Sequence, residues 1–136
     1  MDAKTEAQRI LTESGQVAVA SLTTDGSAPD VRIVLYTYLK EANTLLFMTA
    51  GNANKVAEFA AHDAAAFTTL PIGETNDVVR VRAAKINGIT PDEAQLAQYM
   101  AAFPQTAKYA AHGTFFALTF SEADVTVKNQ ESTVEF

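Results

Sequence analysis

The segment "QVAVASLTTDGSAPDVRIVLYTYLKEANTLLFMT", Gln16 to Thr49, constrains this chain more than any other. It holds three runs of strand-forming residues separated by short reversals, Asp25-Gly26 in the first and Glu41-Ala42-Asn43 in the second. Asp-Gly is a strong hairpin signal, because such turns need backbone conformations that glycine adopts without steric cost. The runs are therefore predicted to pair as an antiparallel meander. Their apolar residues fall on both faces, whereas an open sheet covered on one side needs them only at alternate positions. Closing the sheet into a small barrel buries one face and removes exposed edges. Apolarity left on the outer face predicts helices or a second subunit packed there.

The rest of the chain extends this pattern. "AAAFTTL", "DVVRVRAAKI" and "TFFALTF" predict three more strands, making six, and "DVTV" reads as a short return strand. Ala3, Ala7, Ile10 and Leu11 recur at helical spacing, with Asp2 as N-cap and Gly15 as terminator, so residues 1–15 are predicted to form an N-terminal helix. "NKVAEFAA" predicts a short helix burying Val56, Phe59 and Ala60. Thr90-Pro91-Asp92-Glu93 predicts a third helix capped by Thr90, with Leu96, Met100 and Phe103 as its buried stripe. "QTAKYAAHG" predicts one further helical turn, and residues 129–136 form a tail with no predicted element. The expected fold is mainly β, a six-stranded antiparallel barrel with peripheral helices.

With 136 residues, 48% of them hydrophobic, the chain suits one domain over residues 1–136. The formal charge of −6 is spread over many short stretches, which argues against nucleic acid or an anionic membrane as a partner. Any anion site must therefore be local. The absence of cysteine excludes disulfides, thiolate metal sites and cysteine nucleophiles, and fits a reducing compartment. "MDAKTEAQRI" lacks the layout of a secretory signal, and no apolar run approaches the ~20 residues of a membrane span. A soluble cytoplasmic protein is expected.

Two segments carry candidate chemistry. Arg32 sits among Val31, Ile33 and Val34, and period-two alternation puts Arg32, Val34, Tyr36 and Tyr38 on one face. A guanidinium there either pairs with a carboxylate such as Asp30 or Asp77, lies on a solvent-facing outer surface, or clamps a bound phosphate. In "FMTAGNANKVAEF" an apolar run ends at Thr49 and a helix opens with Lys55 in its first turn. A cation at that end opposes the helix dipole unless its stem carries it away into solvent or an anion shares the space. Thr49, Gly51, Asn54 and Lys55 together supply the donors a phosphate monoester needs, although the spacing is not that of a nucleoside-triphosphate loop. Arg80 and Arg82 share one face of a strand, where pairing with neighbouring acids on the surface, or an anion or subunit contact, are the alternatives. Two separated histidines, His62 and His112, make a zinc site improbable. No nucleophile-and-base or paired-carboxylate motif is recognisable, so an enzyme built on this chain would rely on a bound cofactor for its hard chemistry.

The order of elements and the segments "RIVLY" and "FMTAGNANK" resemble the pyridoxamine 5′-phosphate oxidase-like family of FMN-binding split barrels, over most of the chain from "QVAVASL" to "TFFALTF". The resemblance implies that Arg32, Ile33, Val34 and Leu35 line the flavin and its phosphate, joined by Met48, Thr49, Asn54 and Lys55. It implies FMN as cofactor and a homodimer with the cofactor sites at the interface. Asn54 stands where many relatives have Arg. Asp77 and Val78 stand near the place from which related oxidases extend a Gln to the partner's flavin. The chain has no Trp, whereas true pyridoxamine phosphate oxidases complete their vitamin site with a C-terminal Trp and Arg. The family therefore implies a flavin-dependent oxidoreductase acting on some other small molecule, with small-molecule electron donor and acceptor. A non-catalytic flavin-binding or sensor protein, or a haem-binding split barrel using His62 or His112, are the alternatives.

Overall fold

In the computed structural model the meander is present as three strands of one eight-stranded antiparallel sheet. The structure describes residues 2–50, 54–109 and 113–136, with backbone only for residues 50, 54 and 107–109. The order is α1 (Ala3–Ser14), β1 (Gln16–Leu22), β2 (Pro29–Leu39), β3 (Thr44–Ala50), α2 (Asn54–Ala61), β4 (Ala64–Thr69) and β5 (Val78–Ile89). There follow α3 (Glu93–Ala102), a 3-10 segment (Pro104–Tyr109), β6 (Gly113–Thr119), β7 (Glu122–Val127) and β8 (Gln130–Glu135).

The strands lie side by side as β4-β1-β2-β3-β6-β5, and pairing of β4 with β5 closes this set into the expected six-stranded barrel. The long β5 bridges the halves: Val78–Arg80 pair with β7 and Lys85–Ile89 with β6. "DVTV" is thus no return strand beside β6. It runs on in the direction of β6 along the same edge of β5. The tail, for which the sequence suggests no element, forms β8 through a turn whose two residues, Lys128 and Asn129, both have positive φ. That is the twist a two-residue hairpin needs.

Alternation divides each strand between the barrel interior and the outer surface. Val17, Val19, Leu45 and Phe47 are fully buried inside, and α1 inserts Ala7, Ile10 and Leu11 against the same core, all at 0% exposure. Burial of Ile10 and Leu11 contributes about 1.5–3 kcal/mol each. Tyr36 locks this docking, because its hydroxyl donates to the Leu11 carbonyl at 2.6 Å. Asp2 caps α1 by accepting from the amides of Lys4 and Thr5, and Gly15 ends it at φ 70°.

A second, outer cluster of Leu39, Leu46, Tyr99 and Phe115 lies under α3. The predicted stripe residues Leu96, Met100 and Phe103 are only partly buried at its margin, and Tyr99 is the side chain that α3 buries fully. The cap also shifts from Thr90 to Asp92. Asp92 accepts from the Gln95 amide at 2.8 Å while Gln95 accepts from the Asp92 amide at 3.0 Å, a reciprocal pair that Thr90 cannot form from two residues earlier. In α2, Phe59 is buried and Val56 partly so, but Ala60 is exposed and Glu58 is buried instead.

Candidate functional site

The barrel is split beside β2. Its ladder with β3 runs only from Tyr36–Phe47 to Leu39–Thr44, whereas β3 continues alongside β6 as far as Ala50 and Gly113. Residues 29–35 of β2 therefore pair with β1 on one side alone. The Tyr36 amide donates to the Gly15 carbonyl on the β1 side. By antiparallel alternation, Leu35 and Ile33 direct their N–H and C=O groups the other way, into the split. Their side chains stand on the outer face, where Val31, Ile33 and Leu35 are 64%, 58% and 38% exposed. Met48 lies on the outer face of β3 at the edge of the α3 cluster.

Arg32 lies on the inner face of the same strand, with its side chain only 15% exposed. Its guanidinium packs 5.2 Å from the centre of the Phe59 ring. Nη1 donates to Ser21 at 3.0 Å, and Nη2 donates to Asp30 at 2.6 Å and to Glu58 at 3.0 Å. The carboxylate partner expected for a guanidinium in an apolar strand is thus present twice, though Asp77 is not among them. These bonds use three of five donor hydrogens, leaving Nε–H and one Nη1–H.

Lys55, in the first turn of α2, is half-buried near Arg32. Burial lowers the pKa of its ammonium, and the neighbouring Arg32 charge lowers it further. Among the described residues no carboxylate forms an ion pair with it. Thr49 is buried at the end of β3, on the same inner side of its strand as Phe47. Val34, also inward, belongs to the core.

The expected site residues therefore divide into two groups. Arg32 and Thr49 lie on the inner faces of β2 and β3, with Lys55 near Arg32. Ile33, Leu35 and Met48 line the outer face beside the split. The Asn54 side chain, Gly51 and His112 lie outside the described residues. Sequence reasoning missed Glu58, Ser21 and Phe59 as the groups holding Arg32. Their signal was the unmet need of Arg32 for a partner, together with the three-residue spacing from Lys55 to Glu58.

Phe59 also lines an open groove of about 670 Å³ along α2, between Leu22, Val56, Ile86 and Phe116. His62 opens onto it, with Nε2 3.1 Å from the Thr24 carbonyl. Arg80 and Arg82 lie elsewhere, exposed on β5 and paired with Asp124 at 3.5 and 3.3 Å. Asp77 is engaged by Thr75, Arg9 and the Lys128 amide, and so ties α1 to the turns at the far side of β5. Among the described residues, no cluster of His, Asp or Glu could hold a metal and no helix is long and apolar enough to cross a membrane.

Comparison with known structures places the fold. A heme binding protein from Mycobacterium smegmatis superposes with a TM-score of 0.82 at 18% identity, covering 99% of this chain and 58% of that one. A FAD-binding protein from Mesorhizobium loti gives 0.71 at 15% identity, over 88% of this chain and 90% of that one. A Clostridium acetobutylicum protein of the pyridoxinephosphate oxidase family, related to general stress protein 26, gives 0.72 at 11% identity, over 99% and 96%. No curated protein matches the sequence significantly. The family model described as pyridoxamine 5′-phosphate oxidase-like matches residues 10–127. The six-stranded barrel and this match together show that the chain belongs to the pyridoxamine 5′-phosphate oxidase-like family.

Proposed function

We propose that the protein binds FMN in the split between β2 and β3 and works as a flavin-dependent oxidoreductase on a small molecule. The observation that carries this reading is the edge of β2. Ile33 and Leu35 direct backbone donors and acceptors into the split beside an exposed apolar ridge, and two cations, Arg32 and Lys55, lie near one another close by. A flat heteroaromatic ring with polar edges suits that strand edge, and a phosphate suits the cations.

The donor set fits the group. Lys55 and the two remaining donors of Arg32 would hold the phosphate, with the Thr49 hydroxyl in support. Ile33, Leu35 and Met48 would bound the ring. When bound, FMN supplies hydride and electron transfer. This chain's own part is to fix its orientation, to exclude water through the apolar ridge, and to lend the positive field of Lys55. A nicotinamide or similar donor and a small acceptor are the expected partners.

The same ridge supports a homodimer. Val31, Ile33 and Leu35 form a contiguous apolar row that α3 leaves uncovered, and a second copy would bury it and close the split from outside.

The test is the visible spectrum of purified protein after FMN is added and the excess removed by gel filtration. A retained two-banded flavin spectrum that Arg32→Ala abolishes supports the assignment; unchanged retention by that variant refutes it. A second reading, haem binding, draws support from the relative named as a heme binding protein and from His62 at the open groove. A Soret band on adding haem, lost in His62→Ala, with no retained flavin, would replace the flavin reading.

A further inference from the structure

We propose that Glu58 is a specificity-determining residue of the anion pocket, subtracting one positive charge from the Arg32–Lys55 pair and so holding down the pocket's preference for a dianionic phosphate. The inference rests on the proposal that these cations hold the FMN phosphate. A carboxylate facing a phosphate pocket is unexpected, because it repels the ligand it adjoins. Here the placement is built in. Glu58 lies one helical turn beyond Lys55, its side chain is 10% exposed, and its Oε1 takes a hydrogen of Arg32 Nη2 at 3.0 Å.

Asp30 also bonds Nη2, but the two acids are not equivalent. Asp30 is 47% exposed, so solvent screens its charge, whereas the Glu58 side chain is only 10% exposed. Arg32 has other partners besides Glu58. Asp30, Ser21 and the Phe59 ring also contact the guanidinium, and a glutamine at 58 would still offer the oxygen that accepts from Nη2. What a glutamine removes is the charge alone.

The experiment compares FMN and riboflavin, which share the ring system and differ in the phosphate, on the full chain by flavin fluorescence quenching. Glu58→Gln is expected to tighten FMN binding about tenfold, the effect of one unit charge several ångströms away in a partly screened site. Riboflavin binding should stay within about twofold, and Asp30→Asn should change FMN affinity by less than about threefold. The salt dependence of FMN binding should steepen in Glu58→Gln. Unchanged or weakened FMN affinity in Glu58→Gln, with Lys55→Met still weakening it, overturns the role of Glu58 and leaves the phosphate assignment standing. Failure of both the wild type and Glu58→Gln to bind FMN overturns the two together. An equal gain for riboflavin and FMN also refutes the charge argument, because it would mark a change in packing.

Discussion

Replacing Lys55 by methionine should make the protein more stable and a worse receptor at the same time. Methionine keeps the unbranched stem that packs along α2 and removes only the charge. In the ligand-free protein that charge is unfavourable for three reasons: it is half-buried, it lies near Arg32, and it sits at the positive end of a helix. Lys55 is only partly buried, so solvent screening reduces the like-charge cost. Relief of the repulsion is worth about 0.5 kcal/mol, visible as a raised urea midpoint with unchanged slope. Loss of a charge-assisted bond to phosphate costs about 2 kcal/mol, or about a thirtyfold rise in the Kd for FMN.

The pH dependence separates this account from a packing effect. The Lys55 pKa is lowered in the free protein, so the charged form is disfavoured there, and the stability penalty it imposes is present at neutral pH and fades as pH rises through that lowered pKa. A bound dianion favours the ammonium and raises the same pKa. FMN affinity should therefore be full at neutral pH and fall as pH climbs from the free-state pKa, below the ordinary 10.5, towards the bound-state value. Riboflavin shares any effect of ring ionisation but should lack this phosphate-linked component, and Lys55→Met should lose it for FMN. Equal FMN affinity in wild type and Lys55→Met would refute the reasoning, since Lys55 would then be an ordinary solvated lysine.

Two further perturbations probe the frame around the site. Asp77→Asn should lower stability by about 2 kcal/mol, because it removes the charge from the 2.9 Å bond to Arg9 while leaving the surrounding shape. Hydrogen bonds from Thr75 and Arg9 hold the Asp77 carboxyl below its usual range, so its contribution is present above about pH 4 and lost as pH falls through the lowered pKa; urea titrations should show the two proteins converging in acid. Ile33→Glu places a charge in the exposed apolar row, so analytical ultracentrifugation should give a dimer for wild type and a monomer for the variant, without loss of fold because residue 33 is already 58% exposed.

The barrel was legible because its determinants are local. Apolar runs on both faces, the Asp25-Gly26 reversal and the cap at Asp2 each act over a few residues, and each lies where the sequence indicates. What escaped was either too polar or too distant. In β8 only Val134 is buried, with Glu131, Thr133 and Glu135 exposed, so an edge strand shows too few apolar positions for period two to register. Tyr99 lies one position before Met100 in the predicted stripe, and it is buried because Phe115 and Phe103 pack against its ring.

The split is the instructive case. Nothing within "DVRIVLYTYL" says where the ladder with β3 will stop. That point depends on β3 following β6 past Phe47, a pairing some seventy residues away in sequence. Arg32 was visible as a charge in an apolar strand, yet its meaning depends on the same non-local event. With β3 paired along the whole of β2, the edge beside Ile33 and Leu35 would be a closed sheet, and Arg32, Ser21, Asp30 and Glu58 an internal ion cluster serving packing alone. Because β3 leaves β2 at Tyr36, the same four residues stand close to an open strand edge, with Lys55 near Arg32 and without an ion-pair partner among the described residues. The arginine signals that a partner is required; the register of a neighbouring strand decides whether a ligand can share it.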